Sequence, residues 1–234
     1  MKIKNIQKFL IASNILIGVL FWPCSESKAL DESSFCFMEY PQGKIAACFD
    51  GDTFKLTDRR IVRLAGIDAP ELGKNGNKCQ FFAREARAEL NNLALGKKVT
   101  LFLPGKNARD KHGRILAEAR LENGQSLNEL LLENGMAFFM PSQELNSEFQ
   151  ENLRMVQEEA IREKRGMWEK LLSLPLANDS YIGDKLSLRF FPETAPNIQY
   201  IKPRNRIYFD SLMDAFLYGY APDRSCSFWP ELSN

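Results

Sequence analysis

Four carboxylates and two guanidines recur in short motifs along the first half of the chain. Asp50 and Asp52 stand two residues apart in FDGDTFKL. Asp68 and Glu71 follow the apolar run RIVRLAGI, and Arg63 lies within that run. Arg114 closes the polar stretch Asp110-Lys111-His112-Gly113-Arg114. Carboxylates converging at one end of a domain repel one another unless a hard cation lies between them. Arginine offers a planar fork that matches phosphate oxygens. Together these groups could cleave a phosphodiester: the cation polarises the phosphate, the arginines neutralise developing charge, and a carboxylate handles the attacking water.

Other chemistries fit less well. Only Cys48 among histidines and cysteines falls in the acidic segments, so calcium or magnesium suits the site better than a soft metal. The chain has one histidine, His112, which rules out a paired-histidine ribonuclease or phosphodiesterase. No G-x-S-x-G elbow accompanies it. Asp50-Gly51 suffices as a hairpin turn, so Asp52 has no evident folding role in what reads as a strand.

The elements that must position these residues are legible from periodicity. Residues 35–67 alternate like strands: FCFMEY, GKIAACF, TFKL and RIVRLAGI, with turns at Asp50-Gly51 and Asp58-Arg59-Arg60. Phe82, Ala86, Leu90 and Leu93 have helical spacing, closed at Leu95-Gly96. KKVTLFLP and GRILAEARL read as two further strands. Ser126 is the expected cap of a short helix ending at Asn134-Gly135, and Ser142 that of a long helix to about Lys164. Five strands with interspersed helices predict an α+β protein that is mainly β: a five-stranded Greek-key barrel of the OB type.

The 234 residues suffice for one good core with an appendage. Lys2, Lys4 and Lys8, an apolar run at 9–22 and small residues at Ser27 and Ala29 predict a cleaved secretory signal at 1–29. The alternative is an uncleaved membrane anchor, for which the run is short. Removing 1–29 leaves 27 basic and 29 acidic side chains, net −2. No global basic field would then attract a polyanion, so phosphate binding must be local. The expectation is a secreted or periplasmic monomer without stable membrane insertion after cleavage. Cys36, Cys48, Cys79 and Cys226 would remain, an even count that suggests one or two disulfides. Residues 169–234 contain 11 aromatics, which predicts a packed subdomain rather than a disordered tail. Stacking of those aromatics on bases is the less favoured alternative.

Taken in order, DGDT, VRLAGIDAPE, DKHGRILAEA, LNELLLENGMA and KRGMW closely resemble the staphylococcal nuclease-like (thermonuclease) family from about Lys44 to Trp168. The resemblance implies an OB-fold barrel with three helices over 30–168, ahead of an extension at 169–234 that it does not cover. It implies calcium-dependent hydrolysis of DNA and RNA leaving 3′-phosphate ends. By position, Asp52, Asp68 and the backbone carbonyl of Ala69 would be calcium ligands, with Asp50 just outside them. Glu71 would be the general base, and Arg63 and Arg114 would clamp the phosphate. Lys111 and His112 would lie beside the nucleotide. His112 and Pro141 stand where the type enzyme has nucleotide-contacting tyrosines, and Ala69 where it has threonine. A second expectation, of a different class, is a non-catalytic nucleic-acid-binding or partner-docking module. The complete set of acids and arginines favours an enzyme.

Overall fold

The structure is a computed structural model that describes residues 38–73, 79–105 and 109–223. The expected signal segment, Cys36 and Cys226 lie outside the described residues.

Five strands close a barrel in the order β1 (Met38–Cys48), β2 (Thr53–Leu56), β3 (Ile61–Leu64), β6 (Ile115–Leu121), β5 (Lys98–Leu103). All neighbours are antiparallel except β3 and β6, which run parallel. The two anticipated strands FCFMEY and GKIAACF are one strand, β1, over the described residues. It changes register between Tyr40 and Gly43 against β5, and again between Ile45 and Ala47 against β2. Such irregularities let one long strand bend around a barrel and pair on both edges. The alternating residues Phe54, Leu56, Val62, Leu64, Leu101, Ile115 and Ala117 are buried, which is the period-2 pattern turned inward.

Helix α1 (Ala83–Ala94) buries Ala86 and Leu90 against this core. Helix α2 (Leu127–Glu133) starts at Ser126, whose hydroxyl accepts the Glu129 N–H at 3.4 Å. The long helix α3 (Ser147–Arg162) begins later than Ser142 predicted. Asn146 is its cap and accepts the Phe149 N–H at 2.8 Å. Ser142 instead accepts the Glu144 N–H at 3.3 Å in the preceding loop. That loop is bridged to the barrel at Gly105 and Leu145, which delays the helix.

Two short strands, β4 (Ile67–Asp68) and β7 (Phe138–Phe139), pair antiparallel outside the barrel. After α4 (Met167–Leu171) the extension forms its own sheet, ordered β10 (Arg206–Phe209), β8 (Tyr181–Asp184), β9 (Arg189–Pro192), β11 (Ala221–Pro222), with α5 (Leu212–Leu217) against it. Its aromatics are mostly core. Phe216 meets Trp168 and Phe190 edge-on, with ring centroids at 4.8 and 5.2 Å. Ala160 and Ile161 of α3 belong to the same cluster, so the extension and the long helix share one apolar core. The Gln157 side chain joins them further. It accepts the Phe139 N–H at 2.6 Å and donates to the Phe216 carbonyl at 3.3 Å.

No helix of the described residues is long and apolar enough to cross a membrane. Cys48 and Cys79 are both free thiols, so the expected disulfides do not involve them.

Candidate active site

The connection from β1 to β2 is not a two-residue turn. It spans Phe49–Asp52, and the Phe49 N–H donates to the Thr53 carbonyl at 2.8 Å. Asp50 folds it, its carboxylate accepting the Asp52 N–H at 3.1 Å. Asp52 therefore ends a loop rather than interrupting a strand. Gly51 is required by space, not by dihedral angle: a Cβ there would lie 2.6 Å from Ala69 Cβ and 2.7 Å from Ala86 Cβ. This close approach seats the acidic loop against the segment that carries Asp68.

Asp68 arrives through a tight turn after β3. Gly66 has φ +74°, and a Cβ there would meet Leu153 at 2.6 Å. The turn is held by buried Asn128 of α2, which donates to the Ala65 carbonyl at 2.8 Å and accepts the Ala119 N–H at 3.1 Å. Arg63 is opposite Thr53 in the β2–β3 register, which brings it beside Asp52.

The result is a buried ionic triad. Arg63 Nη1 lies 2.6 Å from Asp52 Oδ2, and Nη2 lies 2.5 Å from Asp68 Oδ1. Asp52 Oδ2 also accepts the Ala69 N–H at 2.7 Å, and Oδ1 accepts the Thr53 hydroxyl at 2.9 Å. Burial pushes the Asp52 carboxyl well above the usual range against the pull of Arg63, and the charges of Asp50 and Asp68 add to the rise. Burial likewise opposes the charge on Arg63. Asp52, Asp68, Asp50 and Glu71 outweigh it and hold the guanidinium's pKa above its ordinary value.

Asp50, Asp52 and Asp68 are 8%, 4% and 4% exposed, and Arg63 is 7% exposed. Three buried carboxyl groups face one buried guanidinium, and the rise at Asp52 records its burial and the negative charge crowded there. Uncompensated buried charge is costly. The donors are hard oxygens crowded at one place, so the residues fit a divalent cation. As they stand, Arg63 bridges Asp52 and Asp68. Among the described residues no three acidic, histidine or cysteine groups are gathered as a ready cage.

Arg63 and Arg114 line one cavity of about 370 Å³, within the range of small-molecule pockets. Arg114 is aimed by Asp110, whose Oδ2 accepts its Nε–H at 2.7 Å, and its Nη1 donates to the Thr53 hydroxyl at 3.5 Å. Asp110 Oδ1 accepts the backbone N–H groups of His112 and Arg114. Burial opposes ionisation of Asp110, but these hydrogen bonds prevail and hold its carboxyl below the usual value.

Glu71 lies just past β4, its amide fixed by a 2.7 Å bond to Gln80 Oε1. Its charge is felt by Arg63, but it does not line the cavity. Asp52 and Asp68, paired with Arg63, are also outside the lining. Lys111 and His112 sit on the exposed Asp110–Gly113 turn, also outside it, while Pro141 is part of the wall. Three contributors were not anticipated. Asp110 and Gln80 orient Arg114 and Glu71, and Thr53 joins Asp52 to Arg114. DKHGR did carry a signal for Asp110, since an acid four residues before an arginine in a tight turn can pair with it.

An uncharacterized endonuclease of Escherichia coli is 31% identical over 136 residues, covering 57% of this chain and 80% of that protein. The chain belongs to the staphylococcal nuclease homologue family. The family model matches residues 61–170, from β3 through α4. A probable endonuclease of Coccidioides posadasii is 34% identical over 102 residues, and one of Schizophyllum commune 34% over 130. The matches cover only 31% and 44% of those two proteins, so the chain spans less than half of these longer family members. The family match leaves out the acidic loop at Phe49–Asp52 and nearly all of the extension.

Proposed function

We propose that this chain is a calcium-dependent nuclease that hydrolyses phosphodiester bonds of DNA and RNA and leaves 3′-phosphate ends. The observation that carries the reading is the buried acid-rich set Asp50–Asp52–Arg63–Asp68, adjoining a cavity lined by Arg63 and Arg114. Family membership supports the reading.

Asp52, Asp68 and the Ala69 carbonyl would hold the cation, with Asp50 balancing charge behind them. When bound, a divalent cation supplies a Lewis acid for a phosphate oxygen. The chain's own residues supply the rest. Arg63 and Arg114 bind the scissile phosphate and stabilise the charge that develops on its oxygens. Asp110 and Thr53 keep Arg114 directed into the cavity. Glu71 orients the attacking water and takes its proton. Its backbone is pinned by Gln80, which limits the geometries its carboxylate can sample. The N-terminal basic and apolar pattern supports export, with the signal removed.

Incubation of the purified chain with single- and double-stranded substrates tests the reading. Cleavage with calcium that is lost in Glu71→Gln, with the melting temperature unchanged, supports it. Full cleavage by Glu71→Gln, or in excess chelator, refutes it.

A further inference from the structure

The extension reaches the candidate site. The turn between β8 and β9 places Leu186 and Ser187 in the wall of the catalytic cavity, joined by Arg189 at the start of β9. The turn is fastened at both ends. Gln143 donates to the Leu186 carbonyl at 3.2 Å, and Asp184 accepts the Leu186 N–H at 3.2 Å and the Ser187 hydroxyl at 2.8 Å. The cavity thus has guanidinia on two sides, Arg63 and Arg114 from the barrel and Arg189 from the extension.

Leu186 also lines a second cavity of about 660 Å³, formed entirely within the extension. Its wall includes Tyr200, Lys202 and Arg204. Leu186 is therefore the ridge between the two spaces. Tyr200 is 80% exposed, although Phe190, Phe191, Phe209 and Phe216 already form the extension's apolar core. Folding gives no reason for an aromatic at that position. Lys202 and Arg204 are exposed, and among the described residues neither forms an ion pair. The wall's acids are Asp184, committed to the turn, and Asp223. An exposed ring beside two unpaired cations, in a cavity that shares Leu186 with one lined by arginines, is the chemistry of a stacking platform along a phosphate backbone.

We propose that the extension is a second nucleic-acid subsite. A single strand whose scissile phosphate lies at Arg63 and Arg114 passes over Leu186. A flanking base stacks on Tyr200, and flanking phosphates pair with Lys202 and Arg204. The inference rests on the nuclease reading above for the position of the scissile bond. Its substrate class is the single strand, DNA or RNA, because stacking needs an unpaired base.

The test uses the full chain and two labelled probes, an oligothymidylate and an oligouridylate of about 12 nucleotides. Binding is followed by anisotropy across a salt series, and turnover by cleavage of the same probes and of a dinucleotide. Lys202→Ala/Arg204→Ala should weaken binding about tenfold and flatten the log affinity against log salt slope by roughly 1.4, at about 0.7 per lost phosphate contact. Tyr200→Ala should weaken binding about tenfold with the slope unchanged. In all these variants dinucleotide turnover should stay at the wild-type value. Loss with only one probe identifies that strand as the ligand and supports the subsite. Unchanged affinity in every variant overturns it, as does an equal loss on the dinucleotide. If the wild-type chain binds both probes and cleaves neither, the nuclease reading fails, and the affinity and slope comparisons still decide the subsite.

Discussion

Arg63 and Arg114 look alike in the sequence, each an arginine beside an aspartate-bearing motif. In the structure they differ in kind. Arg63 is 7% exposed and held by two buried carboxylates. Arg114 is partly exposed, held by Asp110 and the Thr53 hydroxyl. Arg63 is thus a counter-ion for the acidic cluster as well as a wall of the cavity, whereas Arg114 serves the cavity alone. A site residue that also balances buried charge cannot be removed without cost to folding. One that reaches the site from its rim can.

The largest expected effect follows from that contrast. Arg63→Ala removes the buried guanidinium that Asp52 and Asp68 share and should cost about 3–5 kcal/mol of stability, read by chemical denaturation. Arg114→Ala removes a part-exposed pair and should cost about 1 kcal/mol or less, yet lower turnover about 100- to 1000-fold. Equal stability losses in the two variants would break the comparison.

Next in size is Asp110→Asn, which leaves Arg114 directed by Thr53 alone. Cleavage should fall about 10- to 100-fold through misplacement. The same variant carries a pH signature. The folded-state pKa of Asp110 lies below its unfolded value, so its pairing contributes stability above the unfolded value. That contribution disappears as pH falls through the folded value. The stability gap between wild type and Asp110→Asn should therefore be present at neutral pH and close in acid. A gap that widens in acid would contradict the assignment.

The acidic cluster was legible in the sequence because its members stand at the ends of period-2 runs. Asp52 and Asp68 flank strands whose alternation is otherwise intact, and barrel closure brings the strand ends together. Asp110 was harder to see, since its role exists only once the DKHG turn folds its carboxylate back onto Arg114. Thr53 is an ordinary strand residue until the β2–β3 register sets it between Asp52 and Arg114. The start of α3 was misplaced because Ser142 and Asn146 are both good caps, and the local pattern could not register the bridge between Gly105 and Leu145. Most of the extension's described aromatics are core, as expected. Among the described residues Tyr200, Tyr208 and Tyr218 remain exposed, and composition does not distinguish them from the rest.

The smallest expected effect extends the contrast to the two described cysteines. Burial pushes the Cys48 thiol up to about 11, Arg87 opposing and Asp50 adding to the shift. Cys79 is lowered by the hydrogen bond from the Gly73 amide. At mildly alkaline pH a thiol reagent should modify Cys79 well before Cys48, as followed by peptide mass spectrometry. Equal rates would show that the wall beside Asp50 opens in solution.

The central claim is that the acids crowded beside Arg63 hold a divalent cation required for phosphodiester cleavage. Its most direct test is degradation of single- and double-stranded polynucleotides by the purified chain as calcium is titrated from chelator excess. The account predicts cleavage that is absent in chelator and rises to saturation with calcium. Undiminished cleavage in chelator, or none at saturating calcium, would contradict it.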